Sequence, residues 1–347
     1  MAEVVGRGGR WKPGTALRPR SSRLVARPAL ATFVAVLAFL PAGCSDDHSS
    51  SRGGGPEGPA TTLSTESYQV VYAVGNDQEF HLWLMTAGGD DRVQLTLGGG
   101  AEATPAWSPD GTRIAFAAAD NRDDDFDLWV IAADGTELMQ LTDTDDLNET
   151  GPSWSPDGAR LVYSQNTLDD TGAAVRILDV DDPHGKGASV AARGDWPSWS
   201  PDGRTILYTG DSGGEEQLFK VPVDGGTPTM LEPNGPGSSY EASWSPDGTK
   251  IAFVASSGDV DAQDPAAWNE DIWVMRADGT AARKVVTTKG NDHWLPAWSP
   301  DGRQVMYTAD GPEKEGEIAS VDLSSGKVTV LTKNDINDMM PSWRRAG

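Results

Sequence analysis

The sequence predicts an all-β protein, a six-bladed β-propeller of four-stranded antiparallel blades. Three observations predict it. The pentapeptide Trp-Ser-Pro-Asp-Gly begins at Trp107, Trp154, Trp199, Trp244 and Trp298, at intervals of 47, 45, 45 and 54 residues. A period of that size belongs to propeller blades or solenoid units. Within each interval, short runs alternate β-branched or aromatic residues with small ones, and no stretch sustains a helical period. Finally, the first unit lacks the Pro-x-Trp strand that opens every later unit, while Met340-Pro-Ser-Trp343 is such a strand with no unit after it. Pairing the two fragments closes the ring and hides two sheet edges.

The elements follow in order. The first unit reads Gln69-Val-Val-Tyr-Ala, His81-Leu-Trp-Leu-Met and Val93-Gln-Leu-Thr96. Every later unit has the pentapeptide, then an alternating run (Arg113-Ile-Ala-Phe-Ala in the first of them, Lys250-Ile-Ala-Phe-Val further on). A second run follows, such as Asp127-Leu-Trp-Val-Ile or Asp271-Ile-Trp-Val-Met, and then a turn such as Asp134-Gly135 or Asp278-Gly279. A last short strand closes the unit, for example Met139-Gln-Leu-Thr142. The expected blades are 68–97 with 338–345, then 102–142, 149–191, 195–232, 239–288 and 292–332. In the pentapeptide, Pro presets φ while Asp and Gly suit the turn positions after it, so the chain reverses there. The preceding Trp is expected to wedge between neighbouring blades.

The repeated Pro-x-Trp-Ser-Pro-Asp-Gly, Ile-Ala-Phe, Asp-Ile-Trp-Val-Met, Ala-Asp-Gly and Leu-Thr form a WD-repeat-like pattern that resembles the TolB-type propellers over residues 68–345. The resemblance implies a binding function, with the channel mouth presented to a peptide of a partner protein. Some TolB-type proteins carry an α/β domain ahead of the propeller; here only a short tether is expected. Others of this propeller class are polysaccharide lyases that use channel histidines and a metal, or are fused to prolyl-oligopeptidase-type hydrolases.

Ahead of the repeats lies an address. Residues 1–43 carry seven Arg or Lys and one acid, Glu3, and end in an apolar run from Ala29 to Leu40. That run has the length of a signal-peptide core and is short for a membrane span. It closes on Ala42-Gly43 before Cys44, the only cysteine. This resembles the bacterial lipobox, with Pro41 at the place where the family prefers Leu; the other reading is a cleaved signal with an incidental Cys. The expected layout is a lipoprotein signal at 1–43, a flexible tether at 44–67 beginning at lipidated Cys44, and the propeller at 68–347. The expected location is the envelope, lipid-anchored at the outer face of the cell membrane or in the periplasm.

Formal net charge is −24. Such a surface repels nucleic acid and anionic lipid and attracts cationic partners. Just ahead of each Pro-x-Trp stand Glu102, Glu149, Asp195, Glu241, His293 and Asp338. If the opening strand of each blade lines the channel, these residues reach one mouth and form a ring able to hold a peptide or a Ca-type cation. The other reading is that they cap backbone N–H groups. The acidic run Asp120–Asp127 lacks the Gly of a calcium loop and reads as solvated loop, and Trp268 in the long loop of the fifth blade reads as flank packing. Catalytic signals are sparse: four His, no zinc-ligand spacing, no Gly-x-Ser-x-Gly. The expectation is therefore a monomeric binding or scaffolding module with a protein or peptide partner in the envelope and no required cofactor. A lyase or hydrolase acting on an envelope or extracellular polymer is the alternative, with His293 and His81 as its available imidazoles; a purely structural spacer is a third reading.

Overall fold

The computed structural model describes residues 56–59, 63–64, 67–76, 79–119, 125–167, 172–185, 187–231, 237–256, 270–287, 292–311 and 314–344. The signal, Cys44, most of the acidic run and Trp268 lie outside them. Among the described residues there are strands and turns and no helix.

The strands, in chain order, are β1 (Val70–Gly75), β2 (Phe80–Met85), β3 (Val93–Gln94), β4 (Ala101–Trp107), β5 (Arg113–Ala119), β6 (Asp127–Ala132) and β7 (Met139–Gln140). Next come β8 (Leu147–Trp154), β9 (Arg160–Thr167), β10 (Ala173–Asp179), β11 (Ala188–Ala191), β12 (Asp195–Trp199), β13 (Thr205–Ser212), β14 (Glu215–Pro222) and β15 (Thr229–Met230). The last are β16 (Ser239–Trp244), β17 (Lys250–Ser256), β18 (Glu270–Arg276), β19 (Arg283–Lys284), β20 (Asp292–Trp298), β21 (Gln304–Gly311), β22 (Lys314–Asp322), β23 (Val328–Val330) and β24 (Asn337–Trp343).

They form four four-stranded sheets and one eight-stranded sheet. The larger sheet consists of two antiparallel groups, β24-β1-β2-β3 and β4-β5-β6-β7, joined by a single parallel pairing of Phe80 with Ala101. The last strand of the chain thus lies antiparallel beside the first, with Val70 opposite Trp343 and Gly75 opposite Asn337. Strands β4, β8, β12, β16, β20 and β24 each contact the next, and β24 returns to β4.

The apolar core lies in the seams where one sheet faces the next. Val162 and Val175 pack with Ile206 and Val221, Leu207 and Leu218 with Ile251 and Phe253, Val254 and Ile272 with Val305 and Tyr307, and Val70 and Tyr72 with Met306 and Ile318. Burying each such Val, Leu or Ile contributes roughly 1.5–3 kcal/mol. The pentapeptide turns stitch the seams. In the first, Ser108 Oγ donates to Asp110 Oδ1 (2.6 Å), the Thr112 amide donates to the same oxygen (3.0 Å), and Gly111 takes φ +67°, a conformation that costs a side-chain-bearing residue roughly 1 kcal/mol or more. Four of the turn prolines then lie against the next turn's Gly: a Cβ on Gly158 would sit 3.8 Å from Pro109, and one on Gly248 would sit 3.7 Å from Pro201. The expected wedging of Trp between units is what is found, for Trp154 Nε1 donates to Ala106 O (3.0 Å) and Trp298 Nε1 to Ser243 O (3.1 Å).

Part of the predicted tether is docked rather than free. Glu57 and Leu97 exchange two backbone hydrogen bonds of 2.6 Å, and the Leu63 amide donates to Asp134 O at 2.9 Å. Pro56 is buried and Leu63 packs on the core, so the few apolar residues of that segment find partners.

Candidate functional site

The opening strands β4, β8, β12, β16, β20 and β24 share one irregularity. Three residues before the Trp, the backbone turns left-handed: Thr104 (φ +48°), Gly151 (+59°), Trp196 (+50°), Glu241 (+49°), Leu295 (+53°) and Met340 (+58°). Pairing with the following strand slips at this point, between Ala103 and Ala106 in β4 and correspondingly elsewhere, as at a β-bulge. The amides freed from the ladder find hydroxyls. Trp196 N donates to Ser164 Oγ (3.0 Å), Glu241 N to Thr209 Oγ1 (3.2 Å), Met340 N to Thr308 Oγ1 (3.0 Å) and Gly151 N to Thr104 Oγ1 (3.1 Å).

The bulge sorts the six predicted residues. Glu102, Glu149, His293 and Asp338 stand five residues before their Trp, Asp195 four and Glu241 three. Alternation along a strand puts Asp195, one residue out of step, on the other face, and the left-handed backbone at Glu241 breaks the alternation there. Glu241 sits on the bulge itself, and its Oε2 accepts from the Leu295 amide of the next opening strand (2.9 Å). Asp195 Oδ1 accepts from its neighbour Trp196 N (2.8 Å). For these two, capping of backbone amides is the arrangement found.

The other four are buried, with partners drawn from the preceding unit, from the link between units or from their own unit. Glu102 Oε2 accepts from His81 Nδ1 (2.9 Å) and Thr96 Oγ1 (3.2 Å), while its buried Oε1 has no partner among the described residues. Glu149 accepts from Gln165 Nε2 (2.8 Å) and Thr144 Oγ1 (2.9 Å), with Asp127 as an acidic neighbour. His293 Nδ1 donates to Glu270 O (3.0 Å), which leaves Nε2 as the acceptor, and its ring meets Tyr307 edge-on at 5.2 Å. Asp338 Oδ2 accepts from Asn334 Nδ2 (2.8 Å), with Arg92 at 3.8 Å, and its buried Oδ1 lacks a partner among the described residues.

No family model matches this chain, and no curated relative does. Solved structures do. A TolB from Acinetobacter baumannii superposes with a TM-score of 0.68 at 19% identity, over 82% of this chain and 68% of that one. A protein assigned as TolB from Agrobacterium tumefaciens gives 0.56 at 18% identity, over 80% of this chain and 99% of that one. A chain of a nidogen/laminin complex gives 0.62 at 9% identity, over 80% and 98%. The fold is a TolB-like β-propeller.

In this TolB-like propeller, burial dominates the chemistry of the seams. It pushes the Glu149 carboxyl up to about 7, Glu241 to about 8, and Asp338 and Asp127 each to about 6. Nearby acids add to this, Asp127 for Glu149 and Glu270 for Glu241. Burial likewise raises Glu102, whose bond to His81 lifts the imidazole above its ordinary range, and it lowers His293, which stays neutral. Among the described residues no three His, Cys, Asp or Glu side chains come together as a metal site.

The residues that complete the seams carry their own sequence signal. His81, Asp127, Asp271 and Glu317 all head the second run of their unit, directly before Leu or Ile. The closing Leu-Thr supplies Thr96, Thr142 and Thr332, whose hydroxyls accept from the Leu82, Leu128 and Ile318 amides (2.7–2.8 Å). Thr96 then donates to Glu102, and Thr332 to Glu317 Oε2 (2.7 Å). Aligning the heads of the second runs with the Leu-Thr positions would have placed these groups together.

Proposed function

We propose that this chain is a binding or scaffolding module of the cell envelope that takes a protein or peptide partner at the rim where its opening strands begin. The observation that carries the reading is the set of seam acids there, with Glu102 Oε1 and Asp338 Oδ1 buried and unpaired among the described residues. Such acceptors gain when a cationic or N–H-bearing group reaches them, since an unsatisfied buried polar atom costs about 1–3 kcal/mol. The likeness to TolB-type propellers and the net charge of −24 support a cationic peptide over nucleic acid.

The rest of the proposal extends this. The eight-stranded sheet counts as two blades, because only one residue pair joins its halves, which makes six in the ring. Residues 1–43 are removed as a signal, Cys44 is lipidated, and residues 44–67 link the anchor to a monomeric propeller of 68–347. The protein then resides at the outer face of the cell membrane or in the periplasm. In the test, the wild-type domain and the Glu102→Gln/Glu149→Gln variant capture partners from envelope extract. Loss of a specific partner by a variant that still unfolds in one cooperative transition supports the rim. Identical capture by both overturns it. For the anchor, Cys44→Ala is expected to move the protein from the membrane to the soluble fraction; retention in the membrane refutes lipidation.

A further inference from the structure

Three seams contain a repeated arginine clamp; before Trp244, Trp298 and Trp343 its place is held by Thr205, Lys250 and Gln304. The residue two after the pentapeptide Gly opens the next strand and reaches over the following unit's Trp. Arg113 places its guanidinium 4.8 Å from the Trp154 ring centroid and donates Nη2 to Gly158 O at 3.0 Å. Arg160 stands 4.9 Å over Trp199, and Arg344 takes the same role 5.2 Å over Trp107.

Before Trp244 that place is held by Thr205. The arginine stands one residue earlier, so Gly203-Arg204-Thr205 replaces the order Gly111-Thr112-Arg113. A shift by one residue turns the side chain to the other face of the strand, and Arg204 is exposed. Trp244 is partly exposed, as is Trp343, whereas Trp107, Trp154, Trp199 and Trp298 are 3–7% exposed. Its buried Nε1 finds no partner, as at Trp107, Trp199 and Trp343, and no cation stands over its ring among the described residues. In place of the clamp there is a cleft of about 510 Å³ lined by Thr205, Trp244, Asp202, Asp247, Gly248 and Lys220.

We propose that this cleft binds the guanidinium group of an arginine side chain presented by a partner polypeptide. The molecule's own seams display the pose. Trp244 offers the ring that Trp154 and Trp199 offer to internal arginines, and Gly248 stands where Gly158 accepts from Arg113. Asp202 and Asp247 add negative charge at the rim. Lys220 donates its ammonium to Ala277 O at 3.0 Å. A flat, weakly hydrated guanidinium that stacks on indole tolerates that neighbour better than a compact ammonium does. The site lies at the pentapeptide end of the opening strands, away from Glu102 and Asp338 at their beginnings. It is therefore separable from the rim proposed above.

The test is an NMR titration of the ¹⁵N-labelled full chain, with the Trp244 indole N–H assigned through Trp244→Phe. The probes are N-acetyl-arginine amide and its neutral isostere N-acetyl-citrulline amide. The arginine probe is expected to shift the Trp244 resonance saturably, and the citrulline probe at least several-fold less. Thr205→Arg, which restores the internal clamp, is expected to move that resonance by itself and to abolish the response, while the other indole signals report an intact fold. A Trp244 resonance that ignores the arginine probe, responds equally to both probes, or responds unchanged in Thr205→Arg overturns the proposal. The Glu102→Gln/Glu149→Gln variant should titrate like wild type.

Discussion

Replacing Glu149 by Gln should flatten the pH dependence of stability. Glu149 is fully buried, and burial raises its carboxyl from 4.5 to about 7 in the folded state. A raised acid binds its proton more tightly folded than unfolded. Its contribution is therefore complete below the unfolded value and is lost as pH rises through the folded one. At 1.36 kcal/mol per unit, the interval corresponds to about 3 kcal/mol, of which about 2 falls between pH 5.5 and 8.5. Gln keeps the volume and an acceptor for Gln165 Nε2, and the Thr144 hydroxyl rotates to accept from the new amide. The assay is urea unfolding of both proteins at pH 5.5 and 8.5. Wild type should lose more stability than the variant over that range by on the order of 2 kcal/mol. Glu241 and Asp338 titrate alike in both proteins and drop out of the comparison, while the variant also relieves Asp127 of an acidic neighbour. Equal losses would refute the claim that this seam holds a protonated carboxyl near neutrality.

Other consequences follow from the same seams. His81, raised by its bond to Glu102, should titrate above 6.5 by NMR, and Glu102→Gln should bring it down; its stabilising effect is lost as pH rises through that folded value. Arg113→Ala removes a cation–π contact and the bond to Gly158 O, and should cost about 1–3 kcal/mol in urea unfolding with an unchanged strand spectrum. Deleting residues 337–347 strips β24 from β1 and exposes a hydrophobic edge; size-exclusion chromatography should show association, and amide exchange over Val70–Gly75 should accelerate. Gly203→Ala, at φ +74° in a pentapeptide turn, should cost roughly 1 kcal/mol without changing partner capture.

Most of the fold was legible in the chain. The pentapeptide spacing located the units, alternation located their strands, and the incomplete first unit foretold the pairing of β1 with β24. The site was legible in part. Glu102, Glu149, Asp195, Glu241, His293 and Asp338 were grouped because all six stand just ahead of Pro-x-Trp. Asp195 and Glu241 stand nearer their Trp than the other four do. A bulge turns them to cap amides instead, and period-two reading does not foresee a left-handed residue inside a strand. The docking of Glu57 on Leu97 was equally invisible, since a lone backbone pairing needs no particular side chain.

Alternation and turn chemistry act between near neighbours, so the sequence by itself determined the strands, their turns and the order in which they fold back. What a buried carboxyl meets is set by strands brought beside it, some twenty residues away for His81 and Glu102 and at the far end of the chain for Arg92 and Asp338. Only closure of the tertiary structure brings those groups together and removes water from them. The raised acids of the seams and the vacant place over Trp244 are therefore properties of packed sheets, because desolvation exists only once both walls are present.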